Sequence, residues 1–353
     1  MSLRVAVLGA SGYGGAGLME RLRSHPELEL AAIASRQHLG RRVDAVWPHL
    51  AGLVPLRFVD VDEAIAAADL VMCATPHGAT APLVATARAA GAKVVDLSAD
   101  FRLDAETYAQ WYGPHPHPEL LADAVYGLPE LQREELPGAA IVASPGCNAT
   151  AATLALAPLA AGGLLGEAPS VTIVTGSSGA GRALDQGLHH AELNENARPY
   201  RVAGSHRHTG EIEANLQRVA ARSPSGGRSA ERGELRIAFN PVLVPMSRGI
   251  VAMALARPER GDLDDGRLIE LYGDFYSGDP CVHVQADLPQ TKAVAGSDRA
   301  LVSVRWDERT RSVVAMCAID NLGKGASGQA VQAMNLALGF PEALALRMEG
   351  QWP

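Results

Sequence analysis

Seven consecutive residues, Gly9-Ala10-Ser11-Gly12-Tyr13-Gly14-Gly15, constrain the fold more than any others in the chain. They follow a short β-branched and apolar run, Leu3–Leu8, and lead into a stretch of helical character, Ala16–Ser24. A glycine-rich turn between a buried strand and a helix lets backbone N–H groups and the positive helix end approach an anion closely. Further strands are expected at Leu28–Ala34, Leu56–Val59, Leu70–Ala74, Val94–Leu97 and Ala140–Ala143. Ala-rich helices at Asp62–Ala68 and Thr80–Ala90 lie between them. Strand alternating with helix implies a parallel sheet with right-handed crossovers. The expected fold class is therefore α/β, with a Rossmann-type doubly wound parallel sheet over residues 1–146.

After Pro145 the rhythm changes. A helix, Asn148–Ala157, is expected to stop at Pro158, which has no N–H to donate. The runs Ser170–Thr175, Leu235–Pro245, Gly249–Leu255, Cys281–Gln285, Ala300–Asp307 and Ser312–Ile319 read as strands, most of them without helices between. They imply an antiparallel or mixed sheet, hence an α+β second domain over residues 147–322. Ser223–Gly227 reads as a surface loop, and residues 323–353 as a C-terminal helical segment returning to the first domain.

Composition narrows the function classes. At 353 residues the chain exceeds the ~100–200 usual for one domain. A formal net charge of -8 argues against coating nucleic acid. No apolar run reaches the ~18 residues of a membrane span, and the N-terminus lacks the layout of a signal peptide. Cys73, Cys147, Cys281 and Cys317 are scattered and form no CxxC, so neither a zinc ribbon nor a disulfide framework is expected. A reducing, cytoplasmic location fits.

The end of the second strand bears on the cofactor. An NAD site places an acidic residue there for the ribose 2′-hydroxyl. Here Ala34 is followed by Ser35 and Arg36, which suit a 2′-phosphate, so NADP(H) is expected.

Cys147 opens a helix, where the dipole and free N–H groups favour a thiolate nucleophile. A proton-transfer partner is expected in Gly204-Ser205-His206-Arg207-His208-Thr209-Gly210-Glu211, just before a helix at Glu211–Ala220. In an extended segment His206 and His208 would share a side. A metal site using His189 and His190 is not supported by any acidic or thiolate cluster, so no metal is expected. His115 and His117, among prolines, read as loop residues.

These motifs, in order, carry a family resemblance. GASGYGG, DLSADFR (Asp96–Arg102), VYGLPEL (Val125–Leu131), PGCNAT (Pro145–Thr150), GSSGAGR (Gly176–Arg182), HRHTGEIE (His206–Glu213), VPMSRGI (Val244–Ile250) and AIDNLGKGASGQAVQAMN (Ala318–Asn335) span almost the whole chain. Together the chain resembles the N-acetyl-γ-glutamyl-phosphate reductase family, similar in fold to glyceraldehyde-phosphate and aspartate-semialdehyde dehydrogenases. The resemblance implies NADPH-dependent reductive dephosphorylation of an acyl phosphate through a thioester on Cys147, in arginine biosynthesis. It implies His208 as general acid/base and His206 as a substrate-positioning group, with the reverse assignment as the alternative. Asn148 and the adjacent backbone would stabilise an oxyanion. Gly9, Ser11, Gly12, Tyr13, Gly14, Gly15, Ser35, Arg36 and Pro76 would hold the nucleotide, with Ser178, Gly179 and Asn321 on the nicotinamide side. Ser98 and Arg102 would grip the phosphoryl group. Arg182 and Arg248 would meet the substrate carboxylate, Arg248 having a structural ion pair as its alternative. The resemblance also makes residues 147–322 the catalytic and dimerisation domain and implies a homotetramer or homodimer formed through its sheet.

Some residues depart from the pattern. Thr172–Gly176 lacks the Asp and Lys common before the second glycine loop, and Asn148-Ala149 replaces a common Tyr-Pro. His189-His190 and Pro114–Pro118 are similar to a sister group that reduces aminoadipyl phosphate attached to a small acidic amino-group carrier protein in lysine biosynthesis. Seven arginines, Arg198, Arg201, Arg207, Arg218, Arg222, Arg228 and Arg232, face only Glu211, Glu213 and Glu231 in that stretch, a charge balance that suits docking of such a carrier.

Overall fold

A computed structural model describes residues 2–222, 235–259 and 262–352. It divides into two compact units. One runs through Gly146 and adds Ala326–Leu346; the other comprises Cys147–Gly325 and the residues from Arg347 onward. The returning segment is thus shorter than residues 323–353 at both ends.

The first unit holds a seven-stranded parallel sheet ordered β3-β2-β1-β4-β5-β7-β6. Its strands are β1 Leu3–Leu8, β2 Leu28–Ala34, β3 Phe58–Val59, β4 Leu70–Cys73, β5 Lys93–Asp96, β6 Ala124–Tyr126 and β7 Ile141–Ala143. The helices α1 Tyr13–Leu22, α2 Val61–Ala66, α3 Ala81–Ala89, α4 Ala105–Tyr112 and α5 Pro129–Gln132 connect them. β1 and β4 are fully buried over Val5–Leu8 and Leu70–Cys73, as strands covered on both faces must be. Strand order reverses between β1 and β4, which makes the carboxyl end of β1 the topological switch point. A helix at Gly328–Leu338, closed by Gly339 in a left-handed conformation (φ 78°), adds Ala330, Val331 and Met334 to the core beside Leu18, Met19 and Leu22.

The second unit holds a mixed sheet ordered β12-β13-β14-β11-β8-β10-β9. Its strands are β8 Ser170–Thr175, β9 Arg198–Pro199, β10 Ala238–Leu243, β11 Ile250–Ala256, β12 Val282–Val284, β13 Ala300–Asp307 and β14 Ser312–Ile319. β8 and β10 run parallel, joined by a crossover that contains α8 (His208–Arg222); the pairs β8–β11, β11–β14 and β13–β14 are antiparallel. α6, Cys147–Ala161, packs on both α8 and the sheet, and its residues from Asn148 to Ala160 are all buried. α7 is one short turn at His190–Leu193.

One expectation needs correction, and one element is added. α6 does not stop at Pro158 but continues to Ala161. A helix at Asp265–Phe275 separates β11 from β12, in a gap to which the sequence pattern assigns no element. Asp264 caps it by accepting from the Arg267 N–H. The two deviations are connected. Pro158 removes the donor that would reach the Leu154 carbonyl, and the hydroxyl of Tyr276, at the end of the new helix, donates to that carbonyl instead. Tyr272 likewise donates to the Ala155 carbonyl at 2.6 Å. The Ser223–Gly227 loop, with Arg228 and Arg232, lies outside the described residues.

Candidate active site and cofactor-binding residues

The glycine loop lies at the end of β1 and opens α1. Gly9 has φ 76°, and a Cβ there would stand 2.5 Å from the Ala74 carbonyl oxygen, so only glycine lets β1 and the segment after β4 approach this closely. Gly12 caps α1 with no side-chain bond, and the first turn has no acidic residue, so the positive end suits an anion. Gly14 and Gly15 lie in that first turn, and the Tyr13 ring leans on Trp47 with centroids 6.1 Å apart. The Ser11 and Ser35 hydroxyls are 2.9 Å apart, which joins the loop to the end of β2. Ser35 is buried and Arg36 beside it is exposed. Pro76 lies exposed in the loop after β4. These residues fit a dinucleotide: a helix end for the pyrophosphate, with hydroxyls and a guanidinium at the second strand for the 2′-phosphate.

Ser98 and Arg102 are already engaged. The Ser98 hydroxyl donates to Asp96 at 2.7 Å, and burial pushes the Asp96 carboxyl up to about 7 against the two bonds from Ser98. Arg102 donates to the carbonyls of Ser144 and Leu97, both at 2.8 Å. His115 is not a free loop residue: it is buried and donates to the Asp100 carbonyl at 2.7 Å.

In the second unit Cys147 is the first residue of α6 and half-buried, whereas Cys73, Cys281 and Cys317 are buried. A Cβ on Gly325 would stand 2.9 Å from the Cys147 Cβ, so the turn carrying Gly325 forms one wall of the thiol's site. Asn148 donates from Nδ2 to the Tyr200 hydroxyl at 3.3 Å, while its buried Oδ1 has no hydrogen-bond partner among the described residues. Tyr200 lies close enough to Cys147 for the thiol's charge to act on it, and burial is the main reason its hydroxyl is pushed up. The Tyr200 ring meets His206 edge-on at 5.6 Å, and His206 meets His208 at 4.8 Å and Phe239 at 5.1 Å.

The two histidines differ. The segment is turned rather than extended, and His208 begins α8. The backbone N–H of His208 donates to His206 Nδ1 at 3.1 Å, so that nitrogen carries no proton. Burial first, then the nearby His208 and Arg201, pull His206 down to about 3, and it is neutral at physiological pH.

Asn321 accepts the Gly249 N–H at 2.7 Å and donates to the Ser178 hydroxyl at 2.9 Å, which ties the Gly176–Gly181 loop to the end of β14; Gly179 lies in that loop. Arg248 pairs with the buried Asp320 at 2.9 Å, the structural alternative left open for it. Arg182 is exposed. The sequence reveals neither the place of Tyr200 nor the neighbour of Gly325: Tyr200 lies in a polar stretch with no periodicity, and Gly325, within the motif Ala318–Asn335, meets Cys147 from 178 positions away. Among the described residues no group of three His, Cys, Asp or Glu side chains is placed to hold a metal ion, and no helix is long and apolar enough to cross a membrane.

Residues 4–139 match the semialdehyde dehydrogenase NAD binding domain, and residues 147–321 match the semialdehyde dehydrogenase dimerisation domain. An N-acetyl-gamma-glutamyl-phosphate reductase of Thermus thermophilus is 49% identical, covering 99% of this chain and all of that protein. One of Symbiobacterium thermophilum is 42% identical over 99% of each. The chain belongs to the N-acetyl-γ-glutamyl-phosphate reductase family. This family comprises NADP(H)-dependent, aldehyde-forming oxidoreductases. Its fold recurs in aspartate semialdehyde dehydrogenase II from Vibrio cholerae, at a TM-score of 0.70 and 20% identity over 95% of this chain and 98% of that one.

Proposed function

We propose that the chain reduces N-acetyl-γ-glutamyl phosphate to its semialdehyde and free phosphate with NADPH, in arginine biosynthesis. Full-length identity of 49% to a reductase of that name carries the reading, and a half-buried cysteine at the start of a fifteen-residue helix supports it.

The Cys147 thiolate, favoured by the N-terminus of α6, attacks the acyl carbon. The carbonyl electron pair moves onto oxygen, where the backbone N–H groups of Cys147 and Asn148 offer hydrogen bonds. As the carbonyl reforms, the bond to the phosphate oxygen breaks and phosphate leaves with the electron pair. A thioester on Cys147 remains. When bound, NADPH supplies the hydride that reduces this thioester. His208 gives a proton to the resulting oxygen and takes it back as the C–S bond breaks, which releases aldehyde and restores the thiolate. His206, held neutral, fixes the start of α8 and faces Tyr200, which in turn holds the Asn148 amide. Ser98 and Arg102 are assigned to the phosphoryl group, and Arg182 and Arg248 to the carboxylate. Arg102 and Arg248 would have to serve while keeping their present bonds.

The enzyme is assigned to the cytoplasm as a homodimer or homotetramer formed through the second sheet. The alternative substrate, a carrier-linked aminoadipyl phosphate, draws on Arg198, Arg201, Arg207, Arg218 and Arg222. The test is phosphate-dependent reduction of NADP by N-acetylglutamate semialdehyde, with the acyl phosphates compared in the forward direction. Turnover of only the carrier-linked substrate would overturn the main reading. Full activity in Cys147→Ser would overturn the thioester.

A further inference from the structure

The glycine loop is held by a side chain from outside its own strand–helix unit. The indole Nε1 of Trp47 donates to the carbonyl of Ala10 at 2.9 Å, and Trp47 is only 8% exposed. The N–H of Ala10 donates to the Ala34 carbonyl at 3.1 Å, so both backbone polar groups of Ala10 are engaged. A trans peptide is planar, and its carbonyl and the following N–H point in opposite directions. Turning the Ala10 carbonyl toward Trp47 therefore turns the Ser11 N–H to the other side of the loop.

Trp47 is itself firmly placed. It lies between two short helical turns, Val43–Ala45 and Pro48–Leu50, and its N–H donates to the Val43 carbonyl at 2.8 Å. Two positions on, His49 meets Glu20 of α1 at 3.0 Å. The segment thus straps the loop at one point and α1 at another, and the Trp47 ring supports Tyr13.

We propose that Trp47 is a positioning residue for the dinucleotide: its bond to the Ala10 carbonyl sets the loop peptide that faces the pyrophosphate before the cofactor arrives. A loop fixed in its binding shape has less order to gain on binding, which favours affinity. This inference rests on the cofactor reading above.

The experiment compares NADPH with 2′-phosphoadenosine, which carries the 2′-phosphate but has no pyrophosphate. In Trp47→Phe, which keeps a ring and loses the donor, NADPH should bind about tenfold more weakly, as for loss of one hydrogen bond. The fragment should bind as in wild type, and kcat at saturating NADPH should hold within about twofold. Trp47→Met, which has no donor, should repeat the pattern and serves if the Phe variant does not fold. Equal losses for NADPH and fragment, or no loss for either, would overturn the inference. Failure of the wild-type chain to bind NADPH would instead overturn the cofactor reading beneath it.

Discussion

The hydroxyl of Tyr276 donates to the carbonyl of Leu154, the acceptor that Pro158 deprives of its helical donor. A proline that should end α6 is accommodated because a second helix brings a donor to the same place. Tyr276→Phe should destabilise the chain by roughly 1–3 kcal/mol, the penalty for an unsatisfied buried carbonyl. Pro158→Ala restores an N–H, so the same Tyr276 substitution should cost clearly less in that background. A double-mutant cycle by denaturant unfolding measures this coupling; strictly additive effects would show that the two residues act independently.

Gly325→Ala should damage chemistry more than cofactor binding. Its Cβ would press on the Cys147 Cβ from 2.9 Å and on the Asp320 carbonyl oxygen from 3.2 Å. Displacing a nucleophile by a fraction of an ångström to one ångström lowers kcat by up to about 10²-fold. The rate of Cys147 alkylation by iodoacetamide should change as well, while NADPH affinity stays at the wild-type value.

His206 predicts a pH dependence of stability. The unfolded imidazole takes up a proton near 6.5, the folded one only near about 3. Stability from this group is therefore complete above 6.5 and is lost as pH falls from there toward about 3. Asp96 acts in the opposite sense: its folded carboxyl titrates near 7 against 3.8 unfolded, so its contribution is complete below 3.8 and is lost as pH rises toward 7. Comparison of wild type with His206→Asn isolates the first effect. The urea midpoint of wild type should fall relative to the variant between about pH 7.5 and pH 5. A constant difference would mean that His206 is not held neutral by its surroundings.

Arg36→Ala should weaken NADPH binding by about tenfold or more and leave NADH binding nearly unchanged, since a charge-assisted bond to the 2′-phosphate is lost. Isothermal titration with both cofactors checks this. Equal losses would remove Arg36 from the 2′-phosphate site.

The parts that could be read from the sequence are those governed by local rules. β1 and α1 follow from the runs on either side of the glycine loop, and β2 from the apolar run after them. Cys147 at a helix start is equally local. The helix Asp265–Phe275 carries only weak local marks, Asp264 as its cap and Leu268 and Tyr272 as its buried positions, between two more apolar strand runs. Continuation of α6 past Pro158 could not be foreseen, because its compensation comes from Tyr276, 122 positions from the Leu154 carbonyl it serves. The same holds for Trp47 on Ala10 and Gly325 on Cys147, contacts that spacing does not reveal.

The first unit is assembled from two stretches of chain, and this has a consequence for synthesis. Ala330, Val331, Ala333 and Met334 complete the core that Leu18, Met19, Leu22 and Leu28 begin. A ribosome therefore delivers all of Cys147–Gly325 before the residues that finish the nucleotide-binding core. Domains of nascent chains otherwise tend to close in the order they emerge. Here the N-terminal unit must wait with that apolar surface uncovered while the unit after it is made, and a chain stalled before Ala326 cannot cover it.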